Sequence, residues 1–294
     1  MVSIIKEDIE KKSIGHQTMI NVDPTRRTSF STIQSAIDSV PSNNKDWIFI
    51  SVKAGIYNEQ VKIPPDKPFI YLKGEGIGKT NVVWGAHDTM LTSSTFASMA
   101  DNIVVSGITF VDTLLDDKGR HFFKLCTIEG AIDFIFGGGQ SIYEQCTISV
   151  NVGELKPGST GYIAAQARAS PKDGGGFIFK QCNVTGKERY SWEELGKLIP
   201  ELFITILFSQ TLLFLKDGML GLMMAMIFLN QLLVVLTRSE ITFAEDKCQG
   251  RGSDKSKRVK WEKNLNPQDL HLFISNSYID TDGWTHKLPL NMLD

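Results

Sequence analysis

The segment Phe122-Phe123-Lys124-Leu125-Cys126-Thr127-Ile128 has a counterpart 20 residues later in Ile142-Tyr143-Glu144-Gln145-Cys146-Thr147-Ile148. A third copy, Cys182-Asn183-Val184, follows the run Phe177-Ile178-Phe179. From Trp47 onward, short runs of β-branched and aromatic residues recur at about the same spacing, separated by Gly, Asn, Asp and Pro. Because a β-sandwich usually spaces its strands more tightly, this pattern favours an all-β, right-handed parallel β-helix with these copies stacked on successive coils.

An amphipathic helix is predicted before the first of these strands. Between Phe30 and Val40, apolar residues fall on one stripe at helical spacing, and Ser29 is the predicted N-cap. A β-solenoid needs a cap against edge pairing, so we expect this helix to close the N-terminal end. Residues 1–17 are polar and are predicted to form a loose arm, which leaves residues 18–294 for the β-helix domain.

Asp112 and Asp133 stand 21 residues apart in similar surroundings. About one coil of a solenoid separates such positions, so the two carboxylates would lie on neighbouring strands roughly 4.8 Å apart. Two carboxylates placed in this way can divide labour, one ionised as a nucleophile and the other protonated as an acid. The alternative is two ordinary solvated or capping aspartates, but Asp133 lies in an apolar run where an unpaired carboxylate is costly.

The runs around these aspartates resemble the plant pectinesterases (pectin methylesterases), whose pattern contains Asp-Phe-Ile-Phe-Gly and, upstream, Asp-Thr-Leu followed by Gly-Arg-x-x-Phe. The matching residues here are Asp133–Gly137, Asp112–Leu114 and Gly119–Phe123. Further matches follow in the family's order over roughly three quarters of the chain: Phe30–Ile37, Gly55–Glu59, Gly74–Gly76, Thr95–Phe96, Ile108–Phe110, Ile163–Arg168, Thr242–Glu245, Ser256–Trp261 and Ile279–Trp284.

The resemblance implies a β-helix enzyme that converts methyl-esterified homogalacturonan (pectin) to pectate and methanol, without a metal or cofactor. It assigns Asp133 as the nucleophile and Asp112 as the general acid and base. It also suggests Phe136 as an aromatic residue that lines the sugar site, with Phe96 as a weaker candidate. Each phenylalanine could instead belong to the core, which is the favoured interpretation for Phe96.

The resemblance further implies an extracellular protein of the cell wall, a monomer, with a proteinaceous pectinesterase inhibitor as a candidate partner. The N-terminal residues Met1–Asp8 contain no apolar signal region, so the sequence itself predicts no secretory signal there. A formal net charge of −2 gives no global reason to expect nucleic-acid binding. Cys126 and Cys146 could form a disulfide between adjacent coils or remain buried thiols.

Three groups of the family pattern are missing from this chain. Two glutamines normally stabilise the oxyanion, one of them directly before the aspartate of Asp-Thr-Leu, where this chain has Val111. The other lies upstream in a segment that is absent here, because Gly107 to Val111 runs straight into Asp112, which suggests that about one coil is deleted. The arginine that orients the nucleophile is replaced within Tyr190–Lys197. We therefore expect a very weak or inactive enzyme, with a non-catalytic pectin-binding protein or an unfolded pseudogene product as alternatives.

The apolar stretch Leu198–Leu236 has two interpretations. Two blocks of 18 residues around Lys216-Asp217-Gly218 suggest a membrane hairpin, although Pro200, Glu201, Asn230 and Gln231 disfavour it. Degenerate codons for Trp192–Glu201, read two nucleotides later, instead permit Gly-Arg-Ala-Trp, and the same shift over Lys216–Ile227 permits another family-like segment. We favour the hypothesis that about residues 187–239 are translated out of frame, and a transcript with this frame intact would refute it.

Overall fold

Parallel strands stacked in coils build most of the part of the protein that the structure describes. The computed structural model describes residues 18–85, 93–153, 161–167, 174–187, 202–208, 242–247 and 262–288. In chain order the strands are β1 (Thr18–Val22), β2 (Ile48–Val52), β3 (Gly55–Asn58), β4 (Val61–Ile63), β5 (Ile70–Gly74), β6 (Thr80–Val83), β7 (Phe96–Ser98), β8 (Ile103–Ser106), β9 (Thr109–Val111), β10 (Leu114–Asp116), β11 (Arg120–Lys124), β12 (Thr127–Gly130), β13 (Ile132–Gly137), β14 (Gln140–Glu144), β15 (Thr147–Asn151), β16 (Tyr162–Gln166), β17 (Gly176–Lys187), β18 (Leu202–Phe208) and β19 (Thr242–Asp246). The helices are α1 (Ile33–Ser39) and α2 (Pro267–Ile274), and 3₁₀ turns span Asn276–Tyr278 and Thr285–Lys287.

Three parallel sheets form the faces of the coils. Sheet A has the order β1-β2-β5-β8-β11-β14-β17, sheet B has the order β3-β6-β9-β12-β15-β17, and sheet C has the order β4-β7-β10-β13-β16. The sequence repeat sets the register, because Phe122 pairs with Ile142 and Thr127 pairs with Thr147. The predicted parallel β-helix is confirmed.

Three successive coils turn from sheet A to sheet B at a residue with positive φ: Leu125 (52°), Gln145 (53°) and Gln181 (54°). The next residue on each coil is a buried cysteine with a free thiol. The Sγ atom of Cys146 lies 3.5 Å from the Phe123 carbonyl oxygen, and burial raises the pKa of this thiol. Of the two alternatives for Cys126 and Cys146, the structure therefore shows the free thiols.

Leu125→Asn is expected to stabilise the protein by about 1 kcal/mol, because a leucine pays a cost in the left-handed region that asparagine largely avoids. Leu125 is 42% exposed, so little packing is lost. The measurement is the shift of the urea unfolding midpoint. Ile56→Asn is the matched control, since it replaces an exposed apolar residue within strand β3. An equal gain from the control would contradict the backbone explanation.

Helix α1 covers the N-terminal end of the coils, as predicted, but its N-cap is Thr32 and the prediction of Ser29 is wrong. Two contacts explain why the helix begins after Thr32 and not after Ser29. Phe30 is still held in a bridge to Val22. The carboxylate of Glu59 then accepts the backbone N–H groups of Ile33 and Gln34 at 2.8 and 2.9 Å, which satisfies the first turn.

The other end of the solenoid departs from parallel pairing. Strand β18 pairs antiparallel with β17 and with β19. It lies within the segment that the sequence suggests is out of frame, and its pairing does not test that hypothesis, which stays a prediction. The arm at residues 1–17, Arg168, Cys248, residues 190–197 and the rest of the apolar stretch lie outside the described residues. In the described parts of the chain, no helix is long and apolar enough to cross a membrane.

The segment 262–288 packs against sheet A. It covers a row of outward apolar side chains: Phe49, Tyr71, Val104, Phe122, Ile142 and Ile178. Trp284 stacks on Trp47 with 5.8 Å between the ring centroids. Arg120 fixes the segment to the coils, because its guanidinium pairs with Asp282 at 2.6 Å and with Asp101 at 2.9 Å.

Candidate active site

The two aspartates lie where neighbouring coils pass from sheet B to sheet C. Leu114 pairs with Ile135, and each aspartate stands two residues before its member of that pair. Both have positive φ, 97° for Asp112 and 50° for Asp133. Aspartate visits this region more readily than most residues. The structure therefore places Asp112 and Asp133 at equivalent positions on adjacent coils.

Close backbone packing holds the corner together. The Asp112 N–H donates to the Glu129 carbonyl oxygen at 2.8 Å. Gly130 has no space for a side chain, because an added Cβ would lie 2.5 Å from the Asp112 carbonyl oxygen and 2.3 Å from the Phe134 Cβ. The glycine thus allows the coil that carries Asp133 to approach the backbone of Asp112.

The carboxyl group of Asp133 is almost fully removed from solvent. The residue is 5% exposed, and its Oδ1 atom has no hydrogen-bond partner among the described residues. Burial raises the pKa of this carboxyl to about 6. The group is therefore ionised above that pH, and its unpartnered oxygen gives the anion little compensation for lost hydration. Asp112 is more accessible and half-buried.

Beside the aspartates, an outward row crosses sheet B through Val111, Glu129 and Ser149, which pair in register. The Glu129 carboxylate accepts the Asn151 side-chain N–H at 3.0 Å and the Ser149 hydroxyl at 3.3 Å. Glu129 was not singled out from the sequence, although its place one residue before Gly130 on an alternating strand puts it on the outer face. The row therefore sets a fixed carboxylate next to the position where the family pattern has a glutamine.

The two candidate phenylalanines lie in different hydrophobic clusters of the structure. Phe96 lies in the main core, with its ring centroid 4.8 Å from that of Phe110. Phe136 belongs to a small separate cluster with Ala97, Leu115 and Ala165 in sheet C, and it is 3% exposed. Phe96 therefore has the core position that the sequence favoured. Phe136 stays a candidate for the sugar site on the coil that carries Asp133.

A second polar cluster lies downstream of the aspartates, and sequence reasoning missed it. Asp116, His121 and Tyr143 are completely buried, and the Asp116 carboxylate contacts both other side chains. The sequence signal that could have identified this cluster is a polar residue beside each of two apolar pairs: Asp116 follows Leu114-Leu115, and His121 precedes Phe122-Phe123. Across the described ranges, no three His, Cys, Asp or Glu side chains are grouped so that they could hold a metal ion.

The chain matches the family model described as Pectinesterase over residues 19–114 and 105–282. It is similar to probable pectinesterase 29 of Arabidopsis thaliana, with 38% identity covering 96% of this chain and 93% of that protein. Putative pectinesterase 10 of the same plant is 38% identical, over 92% of this chain and 88% of its own length. Among solved structures, pectin methylesterase from carrot is 23% identical with a TM-score of 0.48, over 57% of this chain and 63% of that chain. On the evidence of the family model and the plant relatives, the chain belongs to the pectinesterase family.

Proposed function

We propose that this protein hydrolyses the methyl esters of homogalacturonan, with Asp133 as the nucleophile and Asp112 as the general acid and base. Membership of the pectinesterase family supports the reaction and the substrate. The observation that carries the assignment is the buried Asp133 carboxylate, in register with Asp112 and with an oxygen that accepts no hydrogen bond from the described residues. Such an oxygen gives up no hydrogen bond when it attacks.

The proposed reaction has two steps. The ionised Asp133 attacks the ester carbonyl carbon, the bond to the methoxy oxygen breaks, and the proton of Asp112 passes to that oxygen, so that methanol leaves an acyl-enzyme anhydride. Asp112, now ionised, then takes a proton from a water molecule whose oxygen attacks the galacturonate carbonyl carbon. The anhydride bond breaks, Asp133 is expelled as its carboxylate, Asp112 is again protonated, and the galacturonic acid product leaves and loses its proton to solvent.

Slow turnover is part of the proposal. Removal of one oxyanion-hole donor costs roughly 10²- to 10³-fold in kcat, and Val111 replaces one of the two glutamines of the family pattern. The absence of the second glutamine follows from the hypothesis of a deleted coil. The two segments matched by the family model meet at residues 105–114, where we place that deletion, which supports the hypothesis.

Asp133→Ala is expected to abolish the release of methanol from highly esterified homogalacturonan, because the attacking group is lost. The measurement is methanol produced over long incubations at pH 7.5. Asp46→Ala is the control, since Asp46 is an exposed aspartate on the turn before Trp47. A measurable parental rate that Asp133→Ala leaves unchanged would refute the nucleophile assignment.

The second candidate function is binding of pectin without turnover, which the valine at position 111 favours. A chain that binds methyl-esterified oligogalacturonate in calorimetry, but releases no methanol above the Asp133→Ala background, would establish this alternative. A chain that neither binds nor turns over the ester would contradict both functions.

The substrate also suggests where the protein acts. We place it in the cell wall, with a pectinesterase inhibitor as a candidate partner and a monomer as the functional unit. Asn183 of the sequon Asn183-Val184-Thr185 is exposed, which leaves it accessible to a glycan in an exported protein. Recovery of the protein solely from the intracellular fraction of plant tissue would contradict the cell-wall assignment.

A further inference from the structure

A completely buried polar network ends the strand that begins just after Asp112. Asp116 is the last residue of β10, and β10 pairs with β13 through Leu114 with Ile135 and Leu115 with Phe136. Both oxygens of the Asp116 carboxylate are engaged. Oδ1 contacts His121 Nδ1, and Oδ2 accepts the Tyr143 hydroxyl at 2.6 Å. The network thus joins strands β10, β11 and β14.

The second ring nitrogen of His121 also faces acceptors. Its Nε2 atom lies 2.8 Å from the Ala100 carbonyl oxygen and 3.0 Å from the Ser98 hydroxyl. Burial acts to lower the pKa of His121, but the Asp116 carboxylate and the Ala100 carbonyl outweigh it and raise the pKa. The geometry therefore suits an imidazolium that donates from both nitrogens. Ser98, His121 and Asp116 are the residue types of a hydrolytic triad, but they are completely buried and no substrate can reach them.

The chain that follows Asp133 rests directly on Asp116. A Cβ added at Gly137, which has a φ of 124°, would lie 2.1 Å from the Asp116 carbonyl oxygen. A Cβ added at Gly139 would lie 1.9 Å from Asp116 Oδ1. The Gly139 N–H donates to the Asp116 carbonyl oxygen at 2.9 Å. Only glycines fit here, so the end of β13 is pressed against the network four residues after Asp133.

Asp133 itself has two unfavourable features. Its backbone is left-handed, and its carboxyl group is buried with one oxygen that has no hydrogen-bond partner among the residues the structure describes. Such unfavourable features persist only where contacts with the surrounding structure hold them in place. We propose that Asp116, held by His121 and Tyr143, is a positioning residue that keeps Asp133 in this buried place. The catalytic meaning of that placement rests on the proposed function, but the placement can be tested without activity.

The test is a double-mutant cycle on thermal stability. Asp133→Asn removes a buried charge, so at pH 7.5 it is expected to raise the Tm. If Asp116 holds Asp133 in the buried site, the same substitution in an Asp116→Asn background should give less than about half of that rise, because Asp133 relaxes towards solvent. An equal rise in Tm in both backgrounds would overturn the proposal. If Asp116 had a merely structural role, Asp116→Asn would lower the Tm by the same amount with or without Asp133→Asn.

Two further variants keep the test decisive. Tyr143→Phe removes the hydrogen bond to Asp116 but keeps the ring, which stacks on Phe123 at 4.7 Å and on Phe179 at 4.9 Å. Tyr143→Phe serves as the second background if Asp116→Asn does not fold. An undiminished rise in Tm on Asp133→Asn in the Tyr143→Phe background would also overturn the proposal. Glu59→Gln is the control, because it weakens a distant carboxylate contact and should leave the rise unchanged. Loss or retention of methanol release does not enter this cycle, so it bears on the proposed function alone.

Discussion

Val111→Gln is expected to raise the kcat of methanol release by roughly 10²- to 10³-fold. Val111 is the last residue of β9, directly before Asp112, and it pairs with Glu129 on the outer row of sheet B. In the proposed mechanism, a glutamine there would place an amide N–H donor beside the ester carbonyl carbon that Asp133 attacks. Such a donor stabilises the negative charge that appears on the carbonyl oxygen of the ester only in the transition state. The substitution should therefore increase kcat.

Glu129 is the neighbour that could reduce this gain. Its carboxylate accepts hydrogen bonds from Asn151 and Ser149, and it could also accept one from the new amide. The double variant with Val111→Gln and Glu129→Gln removes that competing anion. If Glu129 competes, the double variant should be faster than Val111→Gln alone.

Val111→Glu is the matched control for Val111→Gln, because it has the same length and shape but no amide donor. It should leave methanol release at the parental level or below. Addition of Asp133→Ala to Val111→Gln should remove the gain entirely. A Val111→Gln protein that binds the ester, keeps the parental Tm and turns over no faster would refute the position of the oxyanion site.

The stacking of coils was predictable because it depends on a local repeat. One coil takes about 20 residues, so Cys126 and Cys146 fall in register whatever the rest of the chain does. The same coil length predicted that Asp112 and Asp133 lie on neighbouring coils. Their equivalent positions follow from the pairing of Leu114 with Ile135, which spacing alone approximates within a residue.

Features that depend on distant partners were not predictable in this way. Helix α1 begins after Thr32 because Glu59, 26 residues beyond Ile33, caps its first turn. The network around Asp116 draws its members from different strands, and Tyr143 is 27 residues away. The antiparallel pairing of β18 breaks the rule of parallel coils that the repeat suggests. In each case the deciding contact is a tertiary one that no local pattern encodes.

Asp133→Asn is expected to stabilise the folded protein by about 3 kcal/mol at pH 7.5 and by much less at pH 4. Burial raises the pKa of Asp133 from the ordinary value of 3.8 to about 6. A carboxyl with a raised pKa holds its proton more tightly in the folded state than in the unfolded state. It therefore lowers the stability of the parent protein as the pH rises from about 4 through about 6, and the amide removes that loss.

The measurement is the Tm of Asp133→Asn and of the parent protein at pH 7.5 and pH 4, with an expected difference of roughly 5–10 °C at the higher pH. Asparagine also tolerates the left-handed backbone at this position, so the substitution should add no strain. Asp46→Asn, at an exposed position, is the control and should leave the Tm close to that of the parent protein. Equal Tm values for Asp133→Asn and the parent at pH 7.5 would mean that Asp133 is hydrated in solution. In the proposed mechanism the same burial makes Asp133 a poorly solvated anion for attack, so that outcome would also weaken its proposed assignment as the nucleophile.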